Sequence, residues 1–340
     1  MVDAEVNSII IKRQNKVLNT DAVVDEDIDK RIDIRPSFFA EYPGQDHVKE
    51  NLSVYVKAAL KRNKPMDHVI LHGPPGLGKT TLAHILANEL KVSFYPTSAP
   101  SFDKVGDLAG ILANIKAGSL LFIDEIHRLS TQVEEALYSA MEDFKIDIIV
   151  GEGPTARTVS LPINPFTLVG ATTKLSSLSR PFISRFGIQE RLEYYTEFSL
   201  GEIIKRTASL LSIKIDCKAV SALARRSRGT PRIANRLLSR VADFAIIEDS
   251  KFINDSIVNH ALDRLKIDRW GLDRTDRNIL EVIKEQYKGG PVGIEAIAVT
   301  VGEERATIEE IYEPYLIHAG FLKRGPRGRC LSEKSLKILE

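Results

Sequence analysis

Apolar residues recur at helical spacing from Gln45 to Lys61, where Val48, Leu52, Tyr55, Val56, Ala59 and Leu60 fall on one stripe and predict an amphipathic helix. A short apolar run, Val69-Ile70-Leu71, comes next, then a glycine-rich turn, then a helical pattern from Lys79 to about Leu90. Ser119-Leu120-Leu121-Phe122-Ile123 is the unbroken apolar run of a buried strand, and it ends in two acids, Asp124 and Glu125. Gln132 to Asp143 reads as a helix. Asp147–Val150 and Arg157–Leu161 flank Gly151-Glu152-Gly153-Pro154 and read as a β-hairpin. Phe166–Gly170 is a further buried strand. Strands alternating with helices predict a parallel sheet covered on both faces.

After about Tyr195 the pattern changes. Three or four amphipathic helices without strand signal run to about Leu265. A linker holding Trp270 and Gly271 precedes a last unit with helices at Arg274–Tyr287, Gly293–Val301 and Glu304–His318 and two short strands around Gly325-Pro326. Three helices and a hairpin predict a winged helix, a frequent DNA-binding module. The expected organisation is a flexible N-terminal arm over 1–33, a large α/β domain over 34–195, a small helical domain over 196–267 and a winged-helix domain over 268–340.

Composition adds bounds. With 43% hydrophobic and 27% charged residues in 340, the chain is of the soluble globular class. No stretch approaches the ~18 apolar residues of a membrane span. Two cysteines, Cys217 and Cys330, form no metal spacing and suit a reducing, cytoplasmic setting. The net charge of +1 hides an asymmetry: residues 203–241 carry ten Lys/Arg against one Asp, and Lys323–Arg329 holds four basic residues in seven. Such patches bind phosphates or form solvated faces.

Gly73-Pro74-Pro75-Gly76-Leu77-Gly78-Lys79-Thr80 fits G-x-x-x-x-G-K-[ST] between a strand and a helix, the context that a phosphate-binding loop requires. Backbone N–H groups and the helix N-terminus then face the phosphates, Lys79 neutralises β/γ charge, and Thr80 offers its hydroxyl to Mg²⁺. Asp124 at the end of a buried strand is placed to help hold Mg²⁺, and Glu125 to polarise the attacking water. His127 completes a DE-x-H run also found in superfamily 2 helicases. Thr172-Thr173 closes the next strand, where Thr173 can orient water. Arg185 follows a loop beyond it and can reach a neighbouring subunit's γ-phosphate, and Arg232 opens a helix of the basic small domain.

The ordered series of phosphate loop, acid pair, threonine, arginine and second arginine on a helical lid is the AAA+ layout. The wording at 73–81, 122–129, 170–173, 185–188, 229–238 and 326–329 resembles the RuvB family of Holliday-junction branch-migration motors, over about residues 34 to 331. The resemblance implies an AAA+ P-loop ATPase domain, a small α-helical lid and a C-terminal winged helix. It implies ATP and Mg²⁺ as cofactors, a homohexameric ring on duplex DNA, loading by RuvA at a four-way junction, and RuvC in a larger complex. Carried over, Ile34 and Arg35 lie near the base; Gly76, Gly78, Lys79, Thr80 and Thr81 hold the phosphates. Glu142, Asp143, Phe144, Tyr195 and Arg232 line the pocket, and Arg185 reaches in from the next subunit. DNA contacts fall on Arg305, Arg324 and Arg329, and the RuvA-binding element is the hairpin near 146–161. Lys174-Leu175-Ser176 and Ile183 depart from the family pattern, and the N-terminal arm is longer than usual.

Two further readings share parts of this pattern. A clamp loader carries a helical collar where this chain predicts a winged helix. An ATP-gated DNA-binding regulator would read bases with its third winged helix, but that helix carries Glu303, Glu304, Glu309, Glu310 and Glu313, which phosphates repel. The wing, with Arg324, Arg327 and Arg329, is the expected contact, positioning DNA without reading sequence.

Overall fold

Val69, Ile70 and Leu71 of β1 (Val69–His72) are fully buried, because parallel strands lie on both sides of them. In this computed structural model, which describes residues 34–150 and 157–339, five parallel strands form one sheet in the order β2 (Phe94–Ser98), β3 (Leu120–Asp124), β6 (Thr167–Thr172), β1 and β7 (Ile188–Arg191). The expected arm at 1–33 and the hairpin tip at 151–154 lie outside the described residues. The parallel α/β sheet itself is as expected. The sequence reading missed both edge strands, β2 (Phe94–Ser98) and β7 (Ile188–Arg191), and the short helix Val105–Leu112. Pro96 interrupts the apolar signal of β2, and an edge is where a strand tolerates proline.

At the centre lies β6 (Thr167–Thr172), every residue of which is buried. At Gly170 a Cβ would come within 2.8 Å of Ile126 Cδ1 and 3.0 Å of Ile70 Cδ1, so those side-chain ends would have to shift. With β3 (Leu120–Asp124) on one side and β1 on the other, the carboxyl ends of three strands meet along one edge of the sheet. The same unit holds the helices α1 (Asp46–Arg62), α2 (Lys79–Leu90), α3 (Val105–Leu112) and α4 (Thr131–Glu142). The hairpin pairs β4 (Lys145–Val150) with β5 (Arg157–Pro162), Ile146 opposite Leu161 and Ile148 opposite Val159. Ile146 is buried, Ile148 and Leu161 pack part-buried on the core, and Val159 is exposed.

The chain divides into two compact units between Tyr195 and Thr196. In the second unit, helices Glu197–Leu210, Cys217–Arg226, Pro231–Ile247 and Asp255–Arg264 are followed by Arg274–Glu285, Ile294–Val301 and a third helix of the head. That third helix runs as Arg305–Thr307, a π-helical stretch Ile308–Tyr312, and Glu313–His318. Pro314, which has no N–H to donate, stands two residues beyond the π-helical stretch. The wing is β8 (Leu322–Gly325) paired with β9 (Gly328–Leu331).

Arg228, just before the Pro231 helix, binds the start of the winged-helix region. Its guanidinium donates to the Gly271 carbonyl at 2.8 Å and to Asp273 at 2.8 Å, and it meets Asp276 at 2.5 Å. Asp273 caps the Arg274 helix and Asp276 completes the capping box. Asp276 is fully buried, and that burial pushes its carboxyl up to about 7 despite Arg228 beside it. A carboxyl whose folded pKa is raised adds stability below its unfolded value near 4, which fades as pH rises through the folded one. Thermal stability of the parent should therefore carry a loss between pH 4 and 8 that Asp276→Asn removes. Melting curves at pH 5 and 8 test this; an unchanged difference in the variant would contradict a titrating Asp276.

Candidate nucleotide site

The loop after β1 turns on residues with backbone that only glycine adopts freely. Gly73 has φ +143° and Gly78 φ +91°. A Cβ on Gly73 would meet the Leu192 carbonyl, and one on Gly78 would stand 3.0 Å from the Tyr42 hydroxyl. Lys79 opens α2 and is buried. Its ammonium donates to the carbonyls of Gly73 and Pro74, each at 2.9 Å. Burial lowers Lys79 to about 8, while Asp124 and then Glu125 pull it back up.

The neighbouring side chains are those the sequence names. Thr80 Oγ1 donates to Asp124 Oδ2 at 3.2 Å, which brings the expected pair of Mg²⁺ ligands together. Among the described residues no group of three or more His, Cys, Asp or Glu gathers into a protein-only metal cage. One hydroxyl and one carboxylate beside a phosphate loop suit Mg²⁺, which keeps waters and takes phosphate oxygens. Glu125 follows in a left-handed conformation, φ +48°, with its N–H donating to Asp124 Oδ1 at 2.9 Å and its carboxylate on Arg128 at 2.9 Å. Thr172 is buried, 3.0 Å from His127 Nδ1, and accepts the Lys174 N–H; Thr173 follows with an exposed side chain.

Tyr195 stands against the same loop. Its hydroxyl is 2.8 Å from that of Tyr42, and the two lie 3.2 and 3.4 Å from the Leu77 carbonyl. Burial pushes Tyr195 up to about 12 and Tyr42 well above its ordinary value, so both stay neutral hydrogen-bonding groups. Tyr42 was not foreseen: a tyrosine in an irregular segment carries no motif. Ile34 is buried and Arg35 exposed at the start of the described chain, and Gly76 and Thr81 occupy their motif positions. Arg232 is the second residue of the Pro231–Ile247 helix, in the second unit.

Arg185 and Glu142 form a separate cluster within one chain. The Arg185 guanidinium donates to the Pro181 carbonyl at 2.7 Å, pairs with Glu142 at 3.2 Å and lies 4.3 Å from the Tyr138 ring centre. The carried-over roles set Glu142 in the pocket with Arg185 arriving from outside. Here the two are held together, so a pocket that Arg185 serves is one that Glu142 faces too. Asp143 pairs with Lys145, and Phe144 packs on Phe166 of the core.

In the head, Arg329 of the wing has partners within the chain. Arg329 is buried, with its guanidinium on Glu313 at 3.0 Å and Glu309 at 2.9 Å. Glu313 is buried with it, so the third helix shows phosphates fewer carboxylates than its sequence suggests. Arg305 pairs with Glu295 and Glu309 at the surface, whereas Arg324 and Arg327 are exposed on the wing. Arg324 and Arg329 are register partners and so share one face of the wing, yet Arg329 meets the third helix while Arg324 is exposed.

Comparison with known proteins fits this geometry. Residues 34–192 match the family described as the Holliday junction DNA helicase RuvB P-loop domain, residues 195–268 the RuvB AAA lid domain, and residues 269–340 the RuvB C-terminal winged helix domain. The Holliday junction branch migration complex subunit RuvB of Lacticaseibacillus casei is 54% identical over 88% of this chain and 88% of its own. That of Staphylococcus aureus is 54% identical over 89% of this chain and 91% of its own. The solved structure of the Thermotoga maritima RuvB Holliday junction branch migration motor superposes with a TM-score of 0.82 at 50% identity, covering 90% of this chain and 98% of that one. A phosphate loop, acid pair and strand-end threonines on one sheet edge, followed by lid and winged helix, place this chain in the RuvB family.

Proposed function

We propose that this chain is the ATP-hydrolysing subunit of a cytoplasmic ring motor that drives branch migration of Holliday junctions. The observation that carries the proposal is the buried Lys79 ammonium in the phosphate loop, with Thr80, Asp124 and Glu125 around it, on a chain that ends in a winged helix. Lys79 would meet the β/γ-phosphates, and Thr80 with Asp124 would hold Mg²⁺, which when bound would neutralise phosphate charge. Glu125 polarises the attacking water, and Thr173 helps orient it. Gly76, Gly78 and Thr81 complete the phosphate cradle, Ile34 and Arg35 take the base, and Tyr195 braces the loop. Arg185 and Glu142, with Asp143 and Phe144 beside them, serve the pocket of the next subunit in a homohexamer. Arg232 reports the γ-phosphate to the lid.

RuvA docks on the outer part of the 146–161 hairpin, where Val159 is exposed. RuvC joins as resolvase in the larger complex. The duplex runs past exposed Arg324 and Arg327 on the wing, with Arg305 nearby, in contacts that carry no sequence information.

The purified chain with RuvA, ATP and a synthetic four-way junction should convert the junction to forked duplexes. Glu125→Gln should bind ATP but hydrolyse it slowly and leave the junction intact. ATP hydrolysis without junction processing would overturn the motor reading, and wild-type turnover in Glu125→Gln would overturn the role of that residue.

The two wing arginines should separate. Arg324→Ala should flatten the salt dependence of log K for duplex by ~0.9 units, one counterion's worth, for every sequence. Arg329→Ala should instead destabilise the head by about 3 kcal/mol or more, because it strands buried Glu313. Titrations at several salt concentrations and melting curves distinguish the two effects; an unaltered slope in Arg324→Ala would move the DNA contact to the basic segment 203–241.

A further inference from the structure

Arg185 has a built seat. Three residues of α4 spaced by four, Glu134, Tyr138 and Glu142, lie along one stripe of that helix. Glu134 is buried and its carboxylate accepts from the Tyr138 hydroxyl at 2.7 Å and from the Ser179 hydroxyl at 2.5 Å. Ser179 in turn caps the short helix Arg180–Ile183, whose end delivers Arg185. The Tyr138 ring lies under the guanidinium, and Phe182 and Phe186 pack behind it at 5.7 and 5.1 Å ring spacing along the row. Glu142 closes the stripe at the charged end.

A long flexible cation would otherwise sample many rotamers, and a catalytic arginine that arrives from another subunit acts only from the right one. A ring face restricts the guanidinium to a plane without taking its outward N–H groups, whereas a second carboxylate would compete with phosphate for them. The buried Glu134 explains why the ring cannot swing: both hydroxyls that fix it, its own and that of Ser179, end on one carboxylate.

We propose that Tyr138, held by Glu134 and Ser179, is the positioning residue for Arg185, and that it acts on the neighbouring subunit's ATP rather than its own. This rests on the reading of Arg185 as a residue that acts between subunits. It adds a side chain that touches no nucleotide yet belongs to the catalytic machinery of the interface. The same helix begins six residues after Glu125, so one rigid element joins a subunit's own acid pair to the arginine it presents outward.

The experiment is subunit mixing. Tyr138→Leu rings should lose about tenfold in kcat, the scale of a cation–π contact, with KM for ATP and ring assembly little changed. Tyr138→Phe, which keeps the ring, should recover most of the rate. Mixed with Lys79→Ala subunits, Tyr138→Leu should give more activity than either ring alone, because some interfaces then join an intact pocket to an intact seat. Mixed with Arg185→Ala subunits it should give no gain. The reverse sorting, gain with Arg185→Ala and none with Lys79→Ala, would place Tyr138 in its own pocket and overturn the proposal, as would a Tyr138→Leu rate equal to the parent's. Lys79→Ala with Arg185→Ala is the reference mixture: if it shows no gain while rings form, the reading of Arg185 fails and the proposal with it. Should Tyr138→Leu not assemble, Tyr138→Met, closer in volume, takes its place in the same mixtures.

Discussion

A buried ammonium has to be answered by something, and in this chain much of the first unit is arranged around that of Lys79. It donates to two loop carbonyls, Gly73 and Pro74, and burial weakens its hold on its proton. Those carbonyls turn inward because Gly73 and Gly78 adopt positive φ, and Tyr42 and Tyr195 hold the loop from behind through the Leu77 carbonyl. Asp124 and Glu125 complete the charge balance, and they stand nearby because β6 lies between β1 and β3 with every side chain buried. A phosphate chain entering this loop meets a desolvated cation, a helix N-terminus and inward N–H groups, which together reward negative charge.

The same economy of elements links the pocket to its surroundings. Helix α4 starts after the acid pair and ends on Glu142 beside Arg185, about 18 Å along at the rise of an α-helix. In the second unit, Arg228 holds the cap of the first winged helix four residues before Arg232. Arg228 thus ties the approach to the Pro231 helix to the start of the Arg274 helix through Asp273 and Asp276.

How much of this was legible in the sequence depends on the kind of signal. The phosphate loop and its helix read directly, since G-x-x-x-x-G-K-[ST] fixes a backbone shape and a cation together, and α2 covers the expected span Lys79–Leu90. Buried strands β1, β3 and β6 read as apolar runs. Strand β7 did not, because an edge strand of four residues alternating buried and exposed, Ile188-Gln189-Glu190-Arg191, resembles a loop. The partners of Arg329 were illegible for a different reason: its Pro-Arg-Gly-Arg setting reads as a basic wing, and only the fold shows that Glu313 lies beside it. Tyr138 was invisible because its partners, Glu134, Ser179 and Arg185, are up to 47 residues away and follow no motif.

The claim that the pocket is organised around the Lys79 ammonium is tested most directly by counting protons on nucleotide binding. With Lys79 at about 8 before binding, roughly half of it is deprotonated at pH 8, and phosphate contact restores the charge. Calorimetric titration with Mg-ATP in buffers of differing ionisation enthalpy should show uptake of ~0.5 proton per site at pH 8, fading toward pH 6.5. Lys79→Arg, whose guanidinium stays charged, should show none of that uptake in whatever binding it retains. No uptake by the parent at pH 8, or equal uptake in Lys79→Arg, would contradict the claim.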